Sequence, residues 1–549
     1  MVRRFTVHAP TARVVSLFTR GCHTLTVCET VMTRQPEGPT WVGDAEAEDG
    51  DLYWFVADGV GPLLDPDAMD VVSTPDGPRS AVRATWPVQP RLATPHRDPI
   101  VYELHVRGFA TTFTGCIEHL PYLVDLGVNV IELMPVHPFD TSDNYWGYMP
   151  LVWGAVHRPY ASGDDAPAEL ASLVAAAHSH DIEVWLDVVF NHTGEGDATK
   201  PTMSLRGLDD ANAYLHHDDG SYNDDSGCGN VSNPADASVR ELVLTALERF
   251  ADLGIDGFRF DLASLLNRDG GGLVERITAW AADRGVRLIA EPWDLAAYQV
   301  GQWPSPWLEW NDHFRDDVRG FVRGEAGLVA AVIDRVQGSP DLFEQAGAST
   351  ARRSVNFLTA HDGLTMHDLT IVNSDHHHSW DCGEELRLQQ LKNYFTMLLL
   401  SAGTPMFVMG DEFARTQNGL DNPYNIDSAV TWVDWSRLDS WRELHGYVQA
   451  LLLLRRSHPP ADFRFYGTTS APDTSPESCS LAWSAAGLYV MANAWWEPVH
   501  FDLQEPGAWT VALSTATIPT TDTTAATETI ALTVPPRAVV VWQRGQSAD

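Results

Sequence analysis

The sequence predicts an α/β protein: a (β/α)8 TIM barrel with an N-terminal β-sandwich and a C-terminal β-sandwich. Three observations lead there. Between about residues 100 and 458, short apolar runs alternate with stretches of helical period, and eight such units can be counted. Polar residues gather where the apolar runs stop, at the barrel end where side chains from separate strands meet. The segments on either side read as short strands divided by turns. An open doubly wound sheet would call for a glycine-rich phosphate turn after an early strand, and none is present.

Residues 1–92 contain RVVSLF, TLTVCE and LYWFVAD followed by the turn-rich GVGPLLDPDA, and predict the N-terminal sandwich. Pro87, Pro90, Pro95 and Pro99 punctuate the linker. The barrel is expected over 93–458. IVYELHV is its first strand, CIEHLPYLVDLG the following helix and VNVIELMPV the second strand. DAPAELASLVAAAHSH is helical and precedes the third strand, IEVWLDVVF, after which a loop subdomain is expected near 190–235. In VRELVLTALERFADLG, residues Val239, Leu242, Val243, Ala246, Leu247, Phe250 and Leu253 recur at helical intervals and lead into the fourth strand, IDGFRFD. VRLIAEP, a weaker LEWND, SVNFLTAHD and TPMFVMGDE complete the set, with the helical LRLQQLKNYFTMLLLSAG before the last. LYVMANAW and RAVVVWQ mark the C-terminal sandwich over 459–549, and the Thr-rich run from Thr515 to Thr529 is expected to be an exposed loop.

A chain of 549 residues is too long for one core. Its 36 basic and 74 acidic residues give a formal charge of −38, which repels phosphate backbones and anionic membranes but not a neutral ligand. No nucleic acid and no membrane is expected as partner. The apolar run LLLSAGTPMFVMG is broken by Gly403 and Pro405, and MVRRFTVHAPTARVV lacks the apolar core of a signal sequence. Cys22, Cys28, Cys116, Cys228, Cys382 and Cys479 lie far apart with no CxxC pair, which fits reduced thiols and a cytoplasmic location. The 20 tryptophans are many, and indole faces suit sugar rings, although most tryptophans serve packing.

In an extended strand Arg259 and Asp261 share a face, and a neighbouring guanidinium favours the ionised carboxylate that a nucleophile needs. Alone, such a pair is more often a buried structural ion pair. Its company decides otherwise. Asp187, Asn191 and His192 close the third strand, Asp261 the fourth, Glu291 the fifth, and His361 with Asp362 the seventh. One acid after a strand is commonly a helix cap; four clusters at the same barrel end specify a carboxylate site. His376 to His378, near Asp375 and Asp381, suggest a metal site, but adjacent loop residues do not converge on one ion and no Cys or His stands at ligand spacing. That run is read as a solvated loop, with no metal and no cofactor expected and no structural calcium predicted.

DVVFNH, GFRFDLA, IAEPWD and FLTAHDG resemble the four ordered motifs of the α-amylase superfamily (glycoside hydrolase family 13). NYWGYMPL, SLRGLDD, GCGN, YQVGQW, EWNDHFRDDVR, TAHDGLTMHDL, GDEFARTQNG and TWVDWS further resemble bacterial glycogen debranching enzymes and isoamylases, over roughly residues 55–440. The resemblance implies a glycosidase acting on α-1,6 branch linkages of glycogen or related α-glucans. It makes Asp261 the nucleophile, Glu291 the general acid and base, and Asp362 the acid that stabilises the transition state. A retaining glycosidase needs one ionised and one protonated carboxyl about 5 Å apart. Arg259 would keep Asp261 ionised, while Pro292 and Trp293 would give Glu291 drier surroundings that hold its proton. The resemblance further implies sugar hydroxyl contacts for His192 and His361, a stacking ring at Tyr148 and an anchor for Arg259 at Asp187. Trp146 is expected as a wall of the sugar cleft. Trp293, Trp303, Trp307 and Trp310 are further candidate platforms.

Two departures stand out. The segment between Asn373 and Gly383 is shorter than the Asn- and Gly-rich insertion usual after the HDG motif, which bears on chain-length and linkage preference. The N-terminal sandwich is also short, and its glycan binding is an expectation of resemblance. An α-1,4 hydrolase or a transglycosylase would use the same three acids and remains open, as does the oligomeric state. A non-catalytic glucan-binding subunit would be expected to lose a central acid, and all three are present.

Overall fold

The computed structural model of the protein describes residues 1–21, 26–36, 38–270, 272–343, 353–518 and 531–545. Cys22 and most of the Thr515–Thr529 run lie outside the described residues. Eight strands close into a barrel in chain order: Val101–Leu104, Val130–Leu133, Glu183–Val188, Gly257–Phe260, Arg287–Ala290, Leu308–Asn311, Ser354–Phe357 and Thr404–Val408. The pairings that bear on the site are parallel. Almost every residue of these strands is buried, as expected of parallel strands covered on both sides.

The chain forms two compact units. The first comprises residues 1–95, 105–120 and 131–307. Among its described residues, the N-terminal segment makes a three-stranded sheet and a larger sheet built around Val15–Arg20 and Leu52–Ala57. Phe5, Val7, Val15, Leu17, Trp41 and Phe55 are buried in one apolar cluster drawn from both sheets. Contacts to the barrel segments of this unit run from Arg158 to Asp70 and from the Trp86 indole to the Arg249 carbonyl.

Local chemistry sets the central strand. The helix Ala237–Asp252 starts where Asp236 accepts from the amides of Ser238 at 2.8 Å and Val239 at 3.1 Å, and the chain turns at Gly254 with φ +92°. Val239, Val243, Ala246, Leu247 and Phe250 fill its buried face. Strand Gly257–Phe260 then aligns with Glu183–Val188 so that Gly257 faces Trp185 and Arg259 faces Asp187. Glycine is required at 257, because a Cβ would stand 2.9 Å from Trp185 Cδ1. After the third strand, residues 189–236 carry the helix Leu205–Ala213 and the bridges Tyr214 to Ser232 and His216 to Tyr222.

The second unit comprises residues 96–104, 121–130 and 308–549. Its described C-terminal strands form a five-stranded sheet in the order Arg464–Tyr466, Ser480–Ala485, Leu488–Asn493, Ala538–Arg544, Trp509–Ser514, with Val499–Asp502 paired to Ala531–Val534. Tyr489, Met491, Trp509, Val540 and Trp542 are buried between them. The barrel helix Glu384–Leu399 meets this sheet where Gln389 and Asn393 donate to the Arg537 carbonyl at 2.7 and 2.6 Å.

Candidate active site

In the first unit, the register that sets Asp187 beside Arg259 creates a charge cluster at the carboxyl ends of the third to fifth strands. Arg259 is fully buried, and its Nη1 donates to Asp187 Oδ2 at 2.7 Å and to Asp261 Oδ1 at 3.1 Å. Its Nη2 stands 2.9 Å from Glu291 Oε2. Burial opposes the charge on Arg259, but the acidic groups of Asp187, Glu291, Tyr148 and Asp261 outweigh it and hold the guanidinium well above its ordinary value. One planar fork thus faces three carboxylates.

The second oxygen of Asp261 is held separately. Asn191, fully buried, donates from Nδ2 to Asp261 Oδ2 at 2.9 Å and to the Asp261 carbonyl at 2.7 Å. That fixes the amide orientation and turns Asn191 Oδ1 toward His192 Nδ1, while His192 Nε2 lies 2.6 Å from the Tyr148 carbonyl. Both ring nitrogens face acceptors, so both donate and the ring is an imidazolium. Burial would lower the imidazole, but the Cys228 sulfur, the Asp261 charge and the Tyr148 carbonyl raise it to about 9.

Asp261 and Glu291 are joined through backbone as well. Leu262, between the fourth strand and the next turn, has φ +38°, a left-handed conformation that a branched side chain adopts at a cost. In that conformation its amide donates to Glu291 Oε2 at 2.8 Å. The Glu291 amide in turn donates to the Phe260 carbonyl at 3.0 Å, and the Ala263 amide to the Glu291 carbonyl at 2.9 Å. Both carboxyl side chains are 11% exposed. Tyr148 donates to Asp187 Oδ2 at 2.5 Å and keeps a half-buried ring.

In the second unit, Glu103 on the first strand is buried and accepts from His361 Nδ1 at 2.8 Å. The His361 ring lies 6.1 Å from Trp310. Asp362 follows, exposed, beyond the carboxyl end of the seventh strand.

Residues 106–226 match the α-amylase catalytic-domain family. A "Glycogen operon protein GlgX homolog" of Mycobacterium tuberculosis is 35% identical over 471 residues, 75% of this chain and 65% of that protein. Over these stretches the chain is similar to the α-amylase family. "Isoamylase 1, chloroplastic" of Oryza sativa subsp. japonica is 34% identical over 517 residues, 77% of this chain and 64% of its own length. The chain therefore spans just under two thirds of these relatives. Among solved structures, a pullulanase complexed with maltotriose from Anoxybacillus sp. LM18-11 superposes with a TM-score of 0.83 at 25% identity, over 99% of this chain and 84% of that one.

Beside the α-amylase-family motifs, several side chains take places the sequence did not suggest. Glu291 is not in apolar surroundings: Oε2 accepts from the Leu262 amide and stands in an ion pair 2.9 Å from Arg259 Nη2. His192 is buried and its nitrogens are turned to Asn191 and Tyr148, so it supports the site from beneath instead of offering a donor to a sugar. Trp146 is buried with its ring edge-on to Tyr148 at 6.3 Å, and so backs the ring expected to stack. Trp303 and Trp307 are buried against each other, and Trp307 also packs on Phe260 and donates to Thr278; they are core and not platforms. Trp310 is buried under His361. Trp293 is half-buried and stacks with the exposed Tyr298 at 6.5 Å.

The reading from sequence missed Glu103, Tyr298 and the backbone of Leu262. A charged residue inside the otherwise apolar IVYELHV was the signal for the first. The three histidines find different partners: His376 packs ring against ring with His377 at 4.8 Å, His377 lies 3.5 Å from Asp421 and His378 2.9 Å from Glu325. Among the described residues, no group of three or more His, Cys, Asp or Glu is placed to hold a metal.

Proposed function

We propose that the protein hydrolyses α-1,6 branch linkages of glycogen or related α-glucans with retention of configuration. Asp261 is the nucleophile, Glu291 the general acid and base, and Asp362 the acid that opposes the positive charge of the oxocarbenium-like sugar. The observation that carries this reading is the Arg259 fork, which joins Asp187, Asp261 and Glu291 at adjacent strand ends. The names of the relatives, a glycogen operon protein and an isoamylase, support the substrate class.

In the first step Glu291 gives its proton to the glycosidic oxygen as Asp261 attacks the anomeric carbon, the C–O bond breaks and a glycosyl ester forms. With Glu291 Oε2 facing the Leu262 amide and Arg259, that proton belongs on Oε1. In the second step Glu291 takes a proton from water, the water oxygen attacks the same carbon and Asp261 leaves. Tyr148 supplies the stacking face with Trp146 behind it, His361 the hydroxyl contact and Trp293 a flanking surface. Asp187, Arg259, Asn191 and His192 hold the charges in place.

The chain is assigned to three parts: a carbohydrate-binding-like sandwich over 1–92, the catalytic barrel over 93–458 with the 190–235 subdomain, and a C-terminal sandwich over 459–549. A cytoplasmic location accords with the charge and cysteine pattern; among the described residues no helix is long and apolar enough to cross a membrane. Chromatography of products from branched glucan tests the assignment. Linear chains released without new linkages are expected, together with complete loss of release in Asp261→Asn while glucan binding persists. Shortened main chains with branches intact would assign α-1,4 cleavage instead, and new linkages would assign transfer.

A further inference from the structure

In the second unit a pocket of about 480 Å³ opens beside the C-terminal sheet and is lined by Arg323, Glu325, Asp375, His378, Trp496 and Arg537, none of them a residue assigned to catalysis. We propose that this pocket is a second binding site for neutral α-glucan chains, with Trp496 as its platform. The choice of glucan as ligand rests on the proposed function; the existence of a sugar-type site does not.

The platform is built. Trp496 is 54% exposed, next to Trp495 at 43%. The Arg537 guanidinium lies over the ring at 3.6 Å and Trp380 meets it in a T-shaped contact at 5.3 Å, so the indole is held by two neighbours while more than half of its surface faces solvent. Arg537 is 2% exposed and is itself held between rings, with the Trp380 centroid 5.3 Å away. Its Nη1 donates to the Arg323 carbonyl at 2.6 Å, and its Nε finds no hydrogen-bond acceptor. Room for the guanidinium exists because residue 324 is glycine: a Cβ there would collide with Arg537 Nη1. Arg537 also stands in the left-handed region at φ +56°, a conformation that persists where surrounding contacts impose it. An exposed indole fixed this firmly has lost its freedom before any ligand arrives.

The rim suits hydroxyl groups and no net charge. Arg323 donates to Asp375 at 2.7 Å and to Glu325 at 3.1 Å, and His378 Nδ1 is 2.9 Å from Glu325. The two carboxylates balance Arg323 and Arg537, so an anion or a cation gains little while a polyhydroxyl ring finds both donors and acceptors. Asp375, His378 and Trp380 all come from the short segment between Asn373 and Gly383, which gives that departure from the family pattern a use.

The test uses the full chain. In native gels containing glycogen, Trp496→Ala should migrate with an apparent affinity about three- to tenfold weaker than the parent, the factor one aromatic contact supplies. Trp496→Phe should keep most of the retardation. Activity on a short branched dextrin, which occupies only the catalytic site, should be unchanged. Asp375→Ala removes a fully solvated rim carboxylate without threatening the fold and should weaken retardation in the same direction. Retardation equal to the parent in both Trp496→Ala and Asp375→Ala overturns the proposal, as does a parallel loss of activity on the short dextrin. If the parent cleaves no α-glucan yet its retardation depends on Trp496, the catalytic reading falls and this one stands. If the parent debranches and retardation ignores Trp496, only this one falls.

Discussion

Arg259→Met removes the cation that three carboxylates share while keeping an unbranched apolar stem of similar reach. Arg259 is fully buried, and the side chains of Asp187, Asp261 and Glu291 are only 1%, 11% and 11% exposed. Water does little to screen what is left behind. Breaking a buried pair from one side costs about 3–5 kcal/mol because an uncompensated charge remains. The thermal midpoint should drop accordingly. The loss of a prepositioned charge network should lower kcat/KM by about 10² to 10³-fold. Two further variants locate the cause. Arg259→Lys keeps the charge but not the fork, so it should recover part of the stability and little of the rate. Asp187→Asn combined with Arg259→Met removes one orphaned charge and should unfold at a higher temperature than Arg259→Met alone. The measurements are calorimetry and release of reducing ends from a branched dextrin. A kcat/KM within tenfold of the parent in Arg259→Met, or no rescue in the double variant, would refute the shared-cation argument.

Three other outcomes are expected. Tyr148→Phe deletes the 2.5 Å bond to Asp187 and should cost about 1.5–3 kcal/mol of stability with the stacking ring retained, so kcat should fall more than KM rises. Glu103→Gln leaves His361 without its carboxylate partner and should lower turnover and shift the pH–activity profile, whereas a merely structural Glu103 would change only the thermal midpoint. His192 is raised from 6.5 to about 9, so its stabilising charge is fully present below 6.5, fades between those values and is lost above about 9. The midpoint of unfolding should therefore fall on the alkaline side of neutrality, and His192→Gln should flatten that fall.

The barrel is legible because parallel strands buried on both faces leave dense apolar runs such as IEVWLDVVF and TPMFVMGDE between amphipathic helices. Asp187 and Arg259 are legible as neighbours only once register is known, since 72 positions separate them. Their direction is what sequence conceals. Trp303 and Trp307 stand close in the chain to Glu291, yet they turn into the core, Trp307 against Phe260 and Trp303 against Trp307. The Glu103 partnership with His361 spans 258 positions and has no local signature beyond a charge in an apolar run. Glu291 misleads for another reason: Pro292 and Trp293 follow it in sequence, but its oxygen meets the amide of Leu262 and a guanidinium from the adjacent strand. The Trp496 platform depends on a glycine and an arginine more than 200 residues apart, Gly324 and Arg537.

The left-handed backbone at Leu262 makes the nucleophile and the acid mechanically one part. Whatever rotates the backbone after Asp261 also swings the amide that meets Glu291, so neither carboxyl group can be re-aimed without disturbing the other. Redesign of this barrel toward a different bond should treat residues 259–262 as a single cassette. Relaxing position 262 to an ordinary right-handed backbone would loosen both acids at once, however little the change appeared to touch either of them.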